Sequence, residues 1–221
     1  MNIVYATDDN GALGTGVSIV SLMENLPPGV HADIYIMTGG LSGDNTARFH
    51  SLQQGYNLHL HFIDMKDKYT DFPVGSKWSE ATYYRLGLAG ELPATVERAL
   101  YVDIDTIFNR DISPMYESEF GDCLIAGVFT TEDLSEESFS RWKREMNLDR
   151  SSIYINAGVI LYHIGRIREE CFESQVLSWA KNNIHRLSWQ DQDILNVCYQ
   201  QRILLLSLIH ISEPTRPISI S

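Results

Sequence analysis

Residues 3–62 alternate short apolar runs with helix-length amphipathic stretches, and this alternation constrains the fold more than any other feature of the chain. Ile3-Val4-Tyr5-Ala6 reads as a strand leaving through Thr7-Asp8-Asp9-Asn10-Gly11, a turn rich in carboxylate and amide groups. A helix is expected from about Gly16 to Leu26, with Val17, Val20 and Met23 on one face, stopped by Pro27-Pro28-Gly29. Residues 32–37 read as a second strand and Ser42 to Gln54 as a second helix. Leu58, Leu60 and Phe62 alternate with His59 and His61, the pattern of a half-buried third strand. Strands joined by helix-bearing crossovers lie parallel, and such crossovers are right-handed. The chain is therefore expected to be α/β, with a mostly parallel central sheet flanked by helices.

In such a sheet, ligands bind beyond the carboxyl ends of the strands. That directs attention to Arg98-Ala99-Leu100-Tyr101-Val102-Asp103-Ile104-Asp105-Thr106, where a buried strand runs into two acids. An apolar core does not accept carboxylates unpaired. Strand alternation would put Asp103 and Asp105 on one side. A hard divalent cation such as Mg2+ or Mn2+ takes oxygen ligands, commonly one or two carboxylates together with phosphate oxygens. The competing reading is two solvated acids capping a turn.

Downstream, a polar loop from Asp64 to Lys77 leads to an expected helix from about Ser79, its N-cap, to Leu92. Residues 111–116 read as a turn, 123–129 as a strand and 135–146 as a charged amphipathic helix. The run from Tyr154 to Tyr162 is a buried strand interrupted by Asn156 and Gly158. A buried amide must be hydrogen-bonded, and glycine admits close approach of backbone or ligand. Residues 165–184 are expected to be largely helical. Ser188-Trp189-Gln190-Asp191-Gln192-Asp193 then opens another helix. Acids there complement the helix dipole, or offer carboxylate and amide partners to sugar hydroxyls. A last apolar run begins at Ile203.

With 221 residues and 44% hydrophobic residues, one large domain with a sizeable core is expected. The net charge of −12 argues against nucleic acid or an anionic membrane as the main partner. It leaves room for a phosphorylated small molecule, because a bound cation reverses the field locally. Cys123, Cys171 and Cys198 lack metal-ligand spacing and read as buried free thiols of a reducing compartment. The apolar runs are too short to span a bilayer, and residues 1–6 go straight into a strand rather than a signal peptide. A cytoplasmic location is expected.

Five segments, in order, resemble the family 8 glycosyltransferases, the group that includes glycogenin and the bacterial lipopolysaccharide galactosyl- and glucosyltransferases. They are Val4-Tyr5-Ala6-Thr7-Asp8-Asp9-Asn10, Ala81-Thr82-Tyr83-Tyr84-Arg85-Leu86, Leu100-Tyr101-Val102-Asp103-Ile104-Asp105, Asn156-Ala157-Gly158-Val159 and Asp191-Gln192-Asp193-Ile194-Leu195-Asn196. The resemblance is strongest to the lipopolysaccharide branch. It implies a GT-A fold, Rossmann-like in its central sheet, over residues 1–207, and transfer of galactose or glucose from a UDP-sugar to a saccharide acceptor with retention. It implies that Asp103 and Asp105 hold Mn2+ (or Mg2+) bridging the diphosphate. Asp8, Asn10 and the backbone around Ala6 would face uridine, with Ile104 also among the donor-binding residues. Arg85 would reach the donor phosphate or sugar. Asn156, Asp191 and Gln192 would line the hexose and the reaction centre, with a covalent intermediate and same-face attack both left open.

One departure from the family is visible. Its later His-x-x-Gly-x-x-Lys-Pro-Trp segment has no counterpart, and His210 lies in an aperiodic run, 208–221, that reads as a tail foreign to the domain. The family's basic, aromatic membrane-docking segment has no counterpart either, so peripheral membrane contact is expected only of a longer form. The chain is thus expected to be C-terminally incomplete, and to bind Mn2+ and UDP-sugar weakly. Two readings compete with the transferase. A haloacid dehalogenase-type phosphatase also uses Asp-x-Asp after a strand, but needs Thr or Val where Ile107 stands. A sugar-nucleotide-binding protein without catalysis is the other.

Overall fold

The computed structural model describes residues 1–73, 79–130, 136–146, 148, 152–187 and 189–206. The expected tail 208–221 with His210, the loop positions 74–77, Ser135, Ser188 and parts of 131–151 lie outside the described residues.

The opening alternation forms β1 (Asn2–Ala6), α1 (Ala12–Asn25), β2 (Ala32–Thr38), α2 (Gly43–Gly55) and β3 (Leu58–Asp64). α1 begins at Ala12 rather than near Gly16. The Gly11 carbonyl already accepts from both the backbone N–H and the hydroxyl of Thr15, each at 3.0 Å. Ser42 caps α2, its hydroxyl accepting from the Asn45 N–H.

The helix expected over 79–92 is instead three short pieces: α3 (Ala81–Tyr84), a 3₁₀ turn (Arg85–Gly87) and α4 (Leu88–Glu91). Ser79 does not cap it by its side chain; the Ser79 carbonyl accepts from Thr82. The break has a cause outside the segment. The Glu173 carboxylate accepts from the N–H groups of Ala89 and Gly90 and so caps a fresh helical turn.

β4 (Ala99–Val102) ends before the two acids, and residues 113–116 form a short helix, α5 (Ser113–Tyr116), where a plain turn was expected. β5 (Ile125–Phe129), α6 (Glu136–Glu145) and β6 (Ile155–Tyr162) follow. The helical stretch after β6 divides into α7 (Ile164–Glu169) and α8 (Phe172–Asn183) at Cys171, which sits at φ 50°. α9 (Gln190–Cys198) and β7 (Ile203–Leu205) complete the described chain.

The seven strands form one sheet in the order β3-β2-β1-β4-β6-β5-β7. β1 pairs in parallel with β2 and β4, β2 with β3, and β5 with β7. β6 runs antiparallel to both neighbours, so the sheet is mixed, although most of its pairings are parallel as expected. Alternation of apolar residues records burial and not strand direction, which is why β6 could not be oriented from sequence.

Helices cover both faces. Ile19 and Leu22 of α1 and Phe49 of α2 pack with Ile34 and Leu100 on one side. Tyr83, Leu86, Val176 and Ile194 pack with Val4 and Tyr101 on the other. Burial of each such aliphatic side chain contributes about 1.5–3 kcal/mol. The cysteines are unpaired, but not uniformly buried: Cys171 is exposed at the α7–α8 break and the other two are half-buried. Among the described residues no helix is long and apolar enough to cross a membrane.

Candidate active site

β1 and β4 deliver their carboxyl ends side by side, in register from Ile3↔Leu100 to Tyr5↔Val102. Beyond them the turn 103–105 packs against the start of α1. A Cβ on Gly14 would stand 3.0 Å from the Ile104 carbonyl oxygen, so the approach depends on glycine there. On the other side of β4, the Asp103 N–H donates to the Gly158 carbonyl at 2.7 Å. A Cβ on Gly158 would meet the Asp103 carboxylate at 2.8 Å and the Asn156 side-chain oxygen at 2.9 Å. The interruption of the apolar run at Gly158 is thus the seat of a carboxylate.

A cleft of about 1070 Å3 opens over these strand ends. Ala6, Asp8, Asn10, Arg85, Asp103, Ile104, Asp105, Asn156, Asp191 and Gln192 all line it. The ten positions singled out from sequence therefore share one wall. Asp103 and Asp105 do not reach it by strand alternation, since β4 stops at Val102 and both lie in the following turn.

Arg85 is the hub. It is buried, and each of its guanidinium nitrogens is engaged. Nη2 donates to Asp103 Oδ1 at 2.7 Å and Nη1 to the Ala157 carbonyl at 2.6 Å. Nε lies 3.0 Å from Asp191 Oδ2 and also donates to the Thr82 carbonyl. The guanidinium carbon sits 4.3 Å from the centre of the Tyr101 ring, and the Tyr101 hydroxyl donates to Asp103 at 3.2 Å. Rather than projecting freely toward a donor, Arg85 joins two carboxylates. Burial opposes its charge, but those two carboxylates outweigh the penalty and hold it firmly protonated. Asp191 is pushed up to about 6, because burial outweighs the lowering by Arg85.

The start of β6 is held by side chains. Its register against β5 shifts between Gly127 and Phe129. Asn196 accepts from the Ile155 N–H and donates to the Ile155 carbonyl, at 2.7 and 2.9 Å. Gln192 Oε1 accepts from the Ala157 N–H at 2.9 Å, and Asn156 accepts from the Gly158 N–H at 2.7 Å. Asp193 closes the N-terminus of α9, accepting from the Trp189 N–H and from the Tyr154 hydroxyl. Of the α9 cluster, Asp193 therefore serves the fold while Asp191 faces the cleft.

Sequence reading missed Tyr101. It closes the apolar run just before Asp103, and its hydroxyl reaches that carboxylate from the end of β4. Glu80 and Trp189 also line the cleft and were not singled out.

Among the described residues the lining carries five acids — Asp8, Glu80, Asp103, Asp105 and Asp191 — against one cation, Arg85, whose nitrogens are already committed. Asp105 is exposed and has no hydrogen bond or ion pair among the described residues. Such a site repels a bare polyphosphate and suits a hard divalent cation, to which Asp103 and Asp105 offer oxygen ligands.

Several known proteins are similar to this chain. The chain is 28% identical over 204 residues to a lipopolysaccharide 1,3-galactosyltransferase of Salmonella typhimurium, covering 89% of this chain and 58% of that protein. It is 27% identical over 209 residues to a lipopolysaccharide 1,2-glucosyltransferase of Escherichia coli, covering 93% of this chain and 60% of that protein. It thus spans well under two thirds of the length of these curated relatives. A crystal structure of the galactosyltransferase LgtC in complex with donor and acceptor sugar analogues superposes with a TM-score of 0.83 at 26% identity, covering 94% of this chain and 74% of that one. The fold is therefore GT-A. The sequence profile of glycosyl transferase family 8 matches residues 2–208, and the chain belongs to that family.

Proposed function

We propose that this chain is a retaining hexosyltransferase that moves galactose or glucose from a UDP-sugar to a saccharide acceptor of the lipopolysaccharide-core type. The observation that carries the reading is the acidic cleft at the carboxyl ends of β1 and β4, where Arg85 is tied to two carboxylates. Membership of a glycosyltransferase family and similarity to two lipopolysaccharide hexosyltransferases support it.

In this reading Asp103 and Asp105 hold a divalent ion of the Mn2+ or Mg2+ kind, which when bound offsets charge on the leaving diphosphate. Asp8, Asn10, Ile104 and the backbone at Ala6 bind the nucleoside. One Asp8 oxygen accepts from the Gly11 N–H at 2.9 Å, which orients the carboxylate and leaves its other oxygen for a ligand. Arg85 works by position: it fixes Asp103 and Asp191 at a set distance from each other and contributes positive charge behind the diphosphate. Asp191 and Asn156 face the hexose, where a fixed carboxylate stabilises positive charge developing at the anomeric carbon. Gln192 holds Ala157, and through it the floor of the hexose site, because its amide oxygen is already bonded there. With the family shown, the phosphatase reading falls away.

Titration calorimetry with UDP, with and without Mn2+, on the wild type and Asp105→Ala tests the site. Mn2+-dependent UDP binding, weakened at least tenfold in Asp105→Ala, is expected. Equal binding with and without the ion overturns the cation assignment. Release of free hexose from UDP-galactose or UDP-glucose tests the chemistry. UDP binding without release of either sugar replaces the transferase reading with that of a UDP-sugar-binding protein.

A further inference from the structure

At the opposite end of the sheet from the cleft, three imidazoles surround one carboxylate. His31 immediately precedes β2, Asp33 lies near its start, and His59 and His61 occupy alternate positions of β3 in register with Asp33 and Tyr35. His31 Nε2 lies 3.7 Å from Asp33 Oδ2, and His59 Nδ1 lies 4.0 Å from Asp33 Oδ1. One ligand atom from each of His31, Asp33 and His59 falls within 4.8 Å of the others.

The hydrogen bonds around the cluster assign its protons. The Asn57 amide nitrogen donates to the carbonyls of Gly29 and Val30, so its oxygen faces His31 Nδ1 at 3.1 Å and accepts from it. Nδ1 is then the donor, and the neutral imidazole presents a bare Nε2 lone pair to a carboxylate. Two electron-rich groups facing each other call for a cation between them. The separations of 3.7 and 4.0 Å are too long for hydrogen bonds. They run to different oxygens of Asp33, and one atom from each residue falls within 4.8 Å of the others, wider than the edge of about 3.4 Å set by a tetrahedral ion with bonds near 2.1 Å, so the set must close on the ion. The surroundings are those of an oriented ligand set: His31 is held by Asn57, and Asp33 accepts from His61 Nε2 at 2.8 Å. The His61 ring stacks on Tyr35 at 4.7 Å. His59 is mostly exposed, which leaves an approach from solvent and room to close on an ion.

We propose that His31, Asp33 and His59 bind a borderline divalent transition ion of the Zn2+ class, with His61 and Asn57 as supporting partners and one coordination position open to water. Imidazole with carboxylate suits such an ion, whereas the all-oxygen cleft suits Mg2+ or Mn2+. The ion would clip the segment before β2 to β3 and brace the β1-β2-β3 half of the sheet without taking part in the reaction. The site stands independently of the cleft and of the reaction assigned to it.

The test is Zn2+ titration by calorimetry on protein free of any histidine tag, with Co2+ absorption as a reporter of tetrahedral coordination. Wild type, His31→Ala, His59→Ala and the double variant are compared, with Asp105→Ala as a control for the cleft. Expected are one equivalent of Zn2+, affinity at least tenfold lower in each single His variant, and affinity unchanged in Asp105→Ala. The melting temperature of the wild type should rise with Zn2+, and that of the double variant should not. Circular dichroism establishes that the variants fold. Zn2+ affinity within twofold of wild type in the folded double variant overturns the proposal. So does absence of saturable binding in the wild type.

Discussion

Asp191 is the residue at which the fold and the proposed chemistry pull in different directions. A carboxyl buried beside one arginine is raised to about 6, against an ordinary value of 3.8. Below pH 4 it is protonated in folded and unfolded chains alike and carries no ionisation penalty. As the pH rises through 6 the unfolded chain ionises first, binds fewer protons, and gains on the folded one. Asp191 therefore contributes most at low pH, and that contribution is lost by about pH 7. Asn at this position does not titrate. Urea unfolding of wild type and Asp191→Asn should show the stability difference between them falling against the wild type by up to about 3 kcal/mol from pH 4 to pH 7. A difference that stays flat over this range would mean that Asp191 keeps an ordinary acidity. Gln192, its neighbour, was expected at the reaction centre from the family resemblance. It lines the cleft, and its amide oxygen accepts from the Ala157 N–H.

Among the elements, α9 matters to the site through what it does for β6. Asn196 bonds both backbone groups of Ile155 and also donates to the Gln192 carbonyl. It is fully buried, so Asn196→Ala strands polar groups where water has little access. The expected cost is about 2–3 kcal/mol, read from urea or thermal unfolding. A change below about 0.5 kcal/mol would show that water replaces the amide at Ile155. The same element shows where sequence reading stops. The apolar run 154–162 announced a buried strand, and Asn156 and Gly158 marked it as unusual. Its antiparallel direction, its slip against β5 and the side chains from α9 that bond its backbone all depend on contacts remote in sequence. The broken helix at 81–91 is a similar case, since Glu173, remote in sequence, interrupts it.

For the whole molecule, the sheet separates two regions of opposite character. The cleft gathers carboxylates at the carboxyl ends of β1 and β4, and the histidines gather at the amino ends of β2 and β3. With the fold braced by helices on both faces, a ligand at one end should leave the other undisturbed. Amide hydrogen exchange with UDP and Mn2+ is expected to slow at residues 6–11, 103–106 and 190–192 and to stay unchanged at 31–33 and 58–61. Chelation of the ion should reverse the effect. Uniform slowing across β2 and β3 would instead report a global gain in stability.

Local patterning by itself determined the order and type of most elements, because burial of one face imposes a period on the residues nearby. The place after an apolar run marked Asp103 and Asp105, whereas the other site residues were singled out through the resemblance of five segments to a known family. What only the tertiary structure decided is how those residues are used: Arg85 tied between Asp103 and Asp191, Tyr101 beneath it, and Gln192 turned to the backbone. Each of these is a bond between groups far apart in the chain, and a hydrogen bond or ion pair of that kind leaves no period for a sequence to display.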